Sequence, residues 1–188
     1  MGTITRGVIV KFEESQTYKN LQTALQGESL AYLKYTIYSN IAKEQGFGYI
    51  AKIFEETANN EKEHGEQWLK LLTPDLKNLY SDLLDATKGE HYENAVMYKD
   101  FEEKAREEGF TAIADEFKRV GSVEYHHENR YEILASLLNN KELFYSNRDT
   151  VWVCSNCGYE HTGKEAPLEC PLCKHPQGYY APRKKIYF

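Results

Sequence analysis

The residues able to do chemistry fall into two sets, each at fixed spacing. One contains two Glu-x-x-His tetrads, Glu61-Lys62-Glu63-His64 and Glu124-Tyr125-His126-His127, together with Glu28, Glu90 and Glu93. The other is a pair of Cys-x-x-Cys motifs, Cys154/Cys157 and Cys170/Cys173, which account for all four cysteines. On a helix, residues three apart share a face, so a glutamate can bridge two metals while the histidine caps one of them. A Glu from each of two helices plus Glu-x-x-His from each of two others is the ligand set of di-iron carboxylate bundles. Two Cys-x-x-Cys hairpins offer four thiolates in a tetrahedron, which suits Zn²⁺ or a single iron. In a cytosolic chain this arrangement reads as a metal site before it reads as disulfides.

The elements that must position these groups are visible as stripes. From about Thr17 to Leu138 strong breakers are few: Gly46-Phe47-Gly48, Thr73-Pro74 and Gly109. The segments between them are rich in Glu, Lys, Ala and Leu, good helix formers. Stepping three or four residues at a time, the first inward stripe runs Leu21, Leu25, Glu28, Tyr32, Tyr35, Ser39, Ala42. The second runs Ile50, Phe54, Thr57, Glu61, His64, Trp68, Leu71, and the third Leu83, Ala86, Glu90, Glu93, Met97, Phe101. The fourth runs Ile113, Phe117, Val120, Glu124, His127, Tyr131, Leu134, Leu138. Each is apolar at both ends and carries Glu or His in its middle. Any one such Glu is most often solvated, but here four helices place a carboxylate at comparable depth. Burying five carboxylates together requires cations or protons, and two ferrous ions supply four positive charges. Off the stripes, Glu63, Glu66, His126 and Glu128 read as solvated face, and His91 has no assigned role. The bundle signature fixes a metal class; by itself it does not separate an oxidase from an iron store or a manganese enzyme.

Length and composition set the frame. The 188 residues allow one sizeable core plus an appendage. A net charge of −6 with scattered basic residues argues against a nucleic-acid partner or an anionic membrane surface. No apolar run approaches the length of a bilayer span. The N-terminal Gly7-Val8-Ile9-Val10 patch lacks the features of a signal peptide, so a cytoplasmic location is expected. Lys141 to Thr150 reads as a linker, which predicts a four-helix domain over 1–148 and a small β-rich four-cysteine domain over 149–188. Gly158 permits the backbone turn that points amides at sulfur. His161 and His175 are surplus to four thiolates.

With these residues in place the chain resembles the rubrerythrin family from about Thr17 to Tyr180. The match is carried by Gly27-Glu28-Ser29, Glu61-x-x-His64, Gly89-Glu90-His91-x-Glu93 followed by Met97-Tyr98, and Glu124-x-x-His127. The C-x-x-C-G-Y…C-P-x-C-x-H-P ribbon from Cys154 to Pro176 completes it. Rubredoxins usually carry Gly after the fourth cysteine; Lys174 stands there, and the loop between hairpins is short, as in the abbreviated rubredoxin-like domain of this family. The resemblance implies an all-α, four-helix ferritin-like bundle followed by a small β-rich rubredoxin-like domain. It also implies iron in both sites: two non-haem irons in the bundle and one in the four-cysteine site. The implied activity is NAD(P)H-linked reduction of hydrogen peroxide, part of oxidative-stress defence. Rubredoxin or its reductase would be the electron donor, with the thiolate iron as relay.

Residue by residue, the resemblance gives Glu61 and Glu124 as bridging carboxylates, Glu28 and Glu90 as terminal ligands, and His127 as a fixed ligand. His64 and Glu93 correspond to a pair that exchange at one iron with oxidation state. Tyr35 and Tyr98 correspond to tyrosines that hydrogen-bond ligand carboxylates.

A homodimer is expected, and chain length bears on its form. With the second helix ending near Leu72 and the third starting near Ser81, a roughly nine-residue link would be taut but long enough to run back along one bundle. A third helix starting as early as Asn78 would make that impossible. Exchange of helices between two chains is the low-strain alternative.

Overall fold

The computed structural model describes residues 10–74 and 78–184; most of the N-terminal patch, Gly7 to Ile9, lies outside them. The chain divides into two compact units, Met1–Lys77 and Asn78–Phe188.

The first unit is a helical hairpin of α1 (Gln16–Glu44) and α2 (Gly48–Leu72). Ser15 caps α1, its hydroxyl accepting from the Tyr18 amide at 3.0 Å. The helix ends in a Schellman turn: Gly46 takes φ +81°, and the Phe47 amide returns to the Ala42 carbonyl at 2.8 Å. Only glycine adopts that φ without a Cβ penalty. The two helices close on small residues, with Ala42, Ala51 and Ala58 buried and the Ser39 hydroxyl bonding the Ala51 carbonyl at 2.9 Å. At the far end the Thr73 amide and hydroxyl both return to Leu69, and Pro74 cannot extend α2.

The second unit opens with α3 (Leu79–Tyr92), whose N-cap Asn78 accepts from the Tyr80 and Ser81 amides. Helix three therefore starts two residues earlier than the sequence reading placed it. It continues through one π-helical turn, Glu93–Met97, into α4 (Tyr98–Glu107). A second Schellman turn at Gly109, φ +85°, leads into α5 (Thr111–Asn139), which packs back along α3 and α4. The four helical segments expected from the stripes are thus present. Glu28, Glu61, Glu90, Glu93, Glu124 and His127 are all half-buried, and only His64 among the stripe ligands is exposed.

After α5 comes a three-stranded antiparallel sheet in the order β2-β1-β3: β1 (Tyr145–Cys154), β2 (Glu160–Glu165) and β3 (Tyr180–Pro182). The expected linker is shorter than proposed, because Tyr145 already pairs with Glu165. The core here is Trp152, Cys154, Ala166, Cys170 and Tyr180, with Phe144 packed against it. Among the described residues no helix is long and apolar enough to cross a membrane.

Candidate metal centres

The small sheet builds its site from two matching knuckles. In the first, the Gly158 amide bonds the Cys154 carbonyl at 2.8 Å and the Cys154 amide bonds the Tyr159 carbonyl. In the second, the Lys174 amide bonds the Cys170 carbonyl at 2.9 Å and the Cys170 amide bonds the His175 carbonyl. Each knuckle needs one left-handed residue: Gly158 at φ +76° and Lys174 at φ +63°. The departure at Lys174 is therefore accommodated at some cost in backbone strain rather than by a different turn.

The four sulfurs lie within 4.8 Å of one another, and the Cys154–Cys173 and Cys157–Cys170 pairs are each 3.7 Å apart. A disulfide would need ~2 Å. A tetrahedron with metal–sulfur bonds of ~2.3 Å has edges of ~3.8 Å, so the cage already has the size of a tetrathiolate metal site. Backbone amides point at the sulfurs. The His175 amide is the chief reason the Cys173 thiol falls to about 6. The Tyr159 amide pulls Cys157 the same way, but burial and the neighbouring thiols push it up to about 12. Four thiols in one cage cannot all ionise without a cation to share their charge. Tyr180 is kept protonated chiefly by burial and then by the neighbouring Cys170.

The helices build two smaller clusters, one in each unit. In the first, His64 Nδ1 lies 2.9 Å from Glu61 Oε2 and 3.9 Å from Glu28 Oε2. In the second, His127 Nδ1 lies 2.6 Å from Glu124 Oε2 and 3.5 Å from Glu90 Oε2. Each trio presents its three ligand atoms within 4.8 Å. Burial raises the Glu90 carboxyl; His127 opposes this and Glu124 adds to it. Two carboxylates and an imidazole converging this closely form a donor set suited to a hard or borderline divalent cation such as Fe²⁺.

Glu93 stands apart from the second trio, at the first position of the π turn. Tyr98, at the other end of that turn, is held protonated first by burial, then by Glu93 and Glu124. Gly121 lets α5 approach Tyr98 closely: a Cβ there would meet the Tyr98 Cβ at 3.1 Å. Tyr35 packs its ring among those of Tyr38 and Phe54.

Two features lay outside the stripe reading. Glu128 is not a solvated residue: it is half-buried, bonded to His91 at 2.8 Å and to the Asn94 amide at 3.2 Å, so His91 has a structural partner across the hairpin. The π turn itself gives no sign in a stripe. The signal that finds it is an internal repeat. Gly27-Glu28 recurs 62 residues on as Gly89-Glu90, whereas Tyr35, Ala42, Gly46-Phe47, Ala51, Phe54, Glu61 and His64 recur 63 residues on. The second hairpin thus carries one extra residue between Glu90 and Tyr98, where the π turn lies. A π turn is the helical form of a one-residue insertion.

Comparison with known proteins finds relatives over most of the chain. The rubrerythrin family model matches residues 19–135, and the model for the rubrerythrin rubredoxin-like domain matches 152–181. Rubrerythrin of Porphyromonas gingivalis is 37% identical, over 92% of this chain and 92% of its own. Rubrerythrin of Clostridium perfringens is 35% identical, over 92% of this chain and 97% of its own. A solved chain of nigerythrin in its partially reduced state aligns over 95% of this chain and 91% of its own, at 29% identity and a TM-score of 0.35. The donor sets fit the iron complement of such proteins, a di-iron carboxylate–histidine centre and one thiolate-bound iron. The chain belongs to the rubrerythrin family of iron-binding oxidoreductases.

Proposed function

We propose that the protein is a cytoplasmic hydrogen peroxide reductase, driven by NAD(P)H through a donor such as rubredoxin or its reductase. The observation that carries this reading is the presence, in one chain, of a single-metal thiolate cage and a complete set of di-metal ligands. A store of iron has no use for the first. The functional division runs near residue 148, with the helical part as the site of reduction and residues 149–188 as the point of electron entry.

When bound, an iron pair would supply the two electrons that O–O cleavage consumes, and a thiolate-bound iron would supply single electrons. The rest falls to the chain's own groups. Glu61 and Glu124 would bridge, Glu28 and Glu90 would hold one metal each, and His127 would be a constant ligand. His64, whose side chain is 50% exposed, and Glu93, on the π turn, would be the pair that exchange with oxidation state. Reducing one peroxide to two waters consumes two protons with the two electrons. Tyr98, kept protonated in the ordinary pH range, can hold a hydrogen bond to Glu93 or Glu124 throughout. Around the sulfurs, the Tyr159 and His175 amides stabilise thiolate charge and so tune the cage toward electron transfer.

The test is anaerobic, donor-linked peroxide consumption. Cys157→Ala should abolish turnover through the protein donor while the chemically reduced variant still consumes about one equivalent of peroxide. Full donor-linked turnover in that variant would refute the relay.

A further inference from the structure

Between α3 and α5 lies a small polar cluster that the metal centres do not use. Glu128 is its hub: one carboxylate oxygen meets His91 Nδ1 at 2.8 Å, and the other accepts from the Asn94 side-chain amide at 3.2 Å. The Glu128 side chain is 19% exposed, and Asn94 is half-buried. A carboxylate this sheltered from water depends on its partners.

The positions of these residues are more telling than their types. His91 follows Glu90, Asn94 follows Glu93, and Glu128 follows His127. Each arm of the cluster is thus one residue from a member of the proposed ligand set. Successive helical residues point ~100° apart, so the cluster lies beside the ligand face rather than on it. Its two bonds also straddle the start of the π turn: His91 belongs to α3, and Asn94 to the turn Glu93–Met97. Were the extra residue taken up before Glu93 instead, that side chain would turn by ~100° about the helix axis. A carboxylate on α5 holds both sides of the point where this would happen. The first hairpin supplies the comparison. Carried back along the internal repeat, by 62 residues before the insertion and 63 after it, His91 falls on Ser29 and Glu128 on Gly65. The Ser29 hydroxyl donates to the Leu25 carbonyl of its own helix at 2.7 Å, and Gly65 has no side chain to offer. The hairpin without the π turn therefore cannot form the clamp.

We propose that Glu128 is a positioning residue for the metal site. Its bonds to His91 and Asn94 pin the π turn against α5, and so fix where the Glu93 carboxylate stands relative to Glu90 and His127. This rests on the ligand set proposed above.

Hydrogen–deuterium exchange of the full-length, iron-loaded protein reads the clamp, and donor-linked peroxide turnover reads its purpose. Asn94→Ala and Glu128→Ala should each speed amide exchange across Glu93–Tyr98 by about tenfold or more, the worth of one hydrogen bond to a charged group. Glu128→Gln should stay close to wild type, because its amide oxygen accepts from Asn94 and its amide nitrogen can donate to an unprotonated His91 Nδ1. Asn94→Ala should turn over more slowly than wild type, yet add less than about a twofold loss in a Glu93→Ala background. A residue that merely stabilises the helix would slow both backgrounds alike. Wild-type exchange in the alanine variants, or a Gln variant exchanging as fast as they do, overturns the clamp. Undiminished slowing in the Glu93→Ala background overturns its action through Glu93. Glu93→Ala turning over as fast as wild type would instead refute the ligand reading, and the exchange rates then decide the clamp by themselves. If Glu128→Ala does not fold, Asn94→Ala and Glu128→Gln carry the comparison.

Discussion

Two buried glycines, one in each helical hairpin, should respond differently to the same added methyl group. Gly65 on α2 and Gly121 on α5 are each packed against the preceding helical segment. Replacing a mid-helix glycine by alanine gains ~1 kcal/mol of helix propensity in either case. At Gly65 the new Cβ would sit 3.8 Å from the Glu28 Cβ and 3.9 Å from Leu25 Cδ1, ordinary van der Waals contacts. Gly65→Ala should therefore stabilise the protein by about 1 kcal/mol, worth roughly 2–4 °C in Tm for a chain of this size. At Gly121 the new Cβ meets the Tyr98 Cβ at 3.1 Å. That carbon is fixed to its backbone and cannot rotate away, so α4 and α5 must part by a few tenths of an ångström. Overpacking of this kind costs about 1–3 kcal/mol, which cancels or exceeds the gain. The two variants should thus differ by about 1–3 kcal/mol, with Gly121→Ala the less stable. Urea unfolding of metal-free protein, at one protein concentration for both, measures the difference. Because Tyr98 adjoins Glu93 and Glu124, Gly121→Ala should also slow turnover, whereas Gly65→Ala should leave iron content unchanged. Equal stabilisation by both substitutions would show that the hairpins do not pack as described.

Glu93→Ala should keep iron near the wild-type level, since four carboxylates and two histidines remain, but slow the catalytic cycle; iron loss as deep as in Glu61→Ala would make Glu93 an ordinary ligand. Glu90→Gln should empty the bundle and yet stabilise the metal-free protein at neutral pH. The Glu90 carboxyl is raised by burial, so its contribution is fully present below its unfolded value and is lost as pH rises through its folded value. The gain from Gln should accordingly vanish toward acid, and a gain independent of pH would contradict this. His91→Ala should cost stability by unpairing half-buried Glu128 without changing iron content, which metal analysis beside thermal unfolding would check. Iron-replete protein should contain about three irons per chain, the thiolate-bound one coloured when ferric and bleached on reduction; zinc in the cage would contradict the relay.

The ligand helices were legible because their pattern is redundant. Glu28, Glu61, Glu90 and Glu124 each interrupt an apolar stripe at similar depth, and the glycine turns at Gly46 and Gly109 punctuate them. Local chemistry that overrides periodicity was harder to read. Asn78 starts α3 two residues before the stripe suggests, because its side chain satisfies the Tyr80 and Ser81 amides. Glu128 looked solvated because its partners, His91 and Asn94, lie across the hairpin and share no periodicity with it. Tyr145 to Thr150 looked like linker because the strand carries an irregularity there, between pairings at Tyr145 and Thr150. The π turn escaped because stepping by three or four passes over an extra residue unnoticed, and only alignment of one hairpin on the other exposes it.

That turn bears on how such a site acquires a new side chain. An extra residue in an ordinary helix rotates everything beyond it by ~100°, which here would swing Tyr98 and Ala105 off the surface that meets α5. Confining the extra residue to Glu93–Met97 leaves both faces in register: Glu90 before it and Tyr98, Ala105 and Gly109 after it keep the places of Glu28, Tyr35, Ala42 and Gly46. The first hairpin, without the insertion, carries Ala31 at the step from Glu28 that Glu93 occupies from Glu90. A duplicated hairpin can therefore diverge in its chemistry by a single-codon insertion while its fold is inherited unchanged, and the two halves of the site, alike in ancestry, need not remain alike in reactivity.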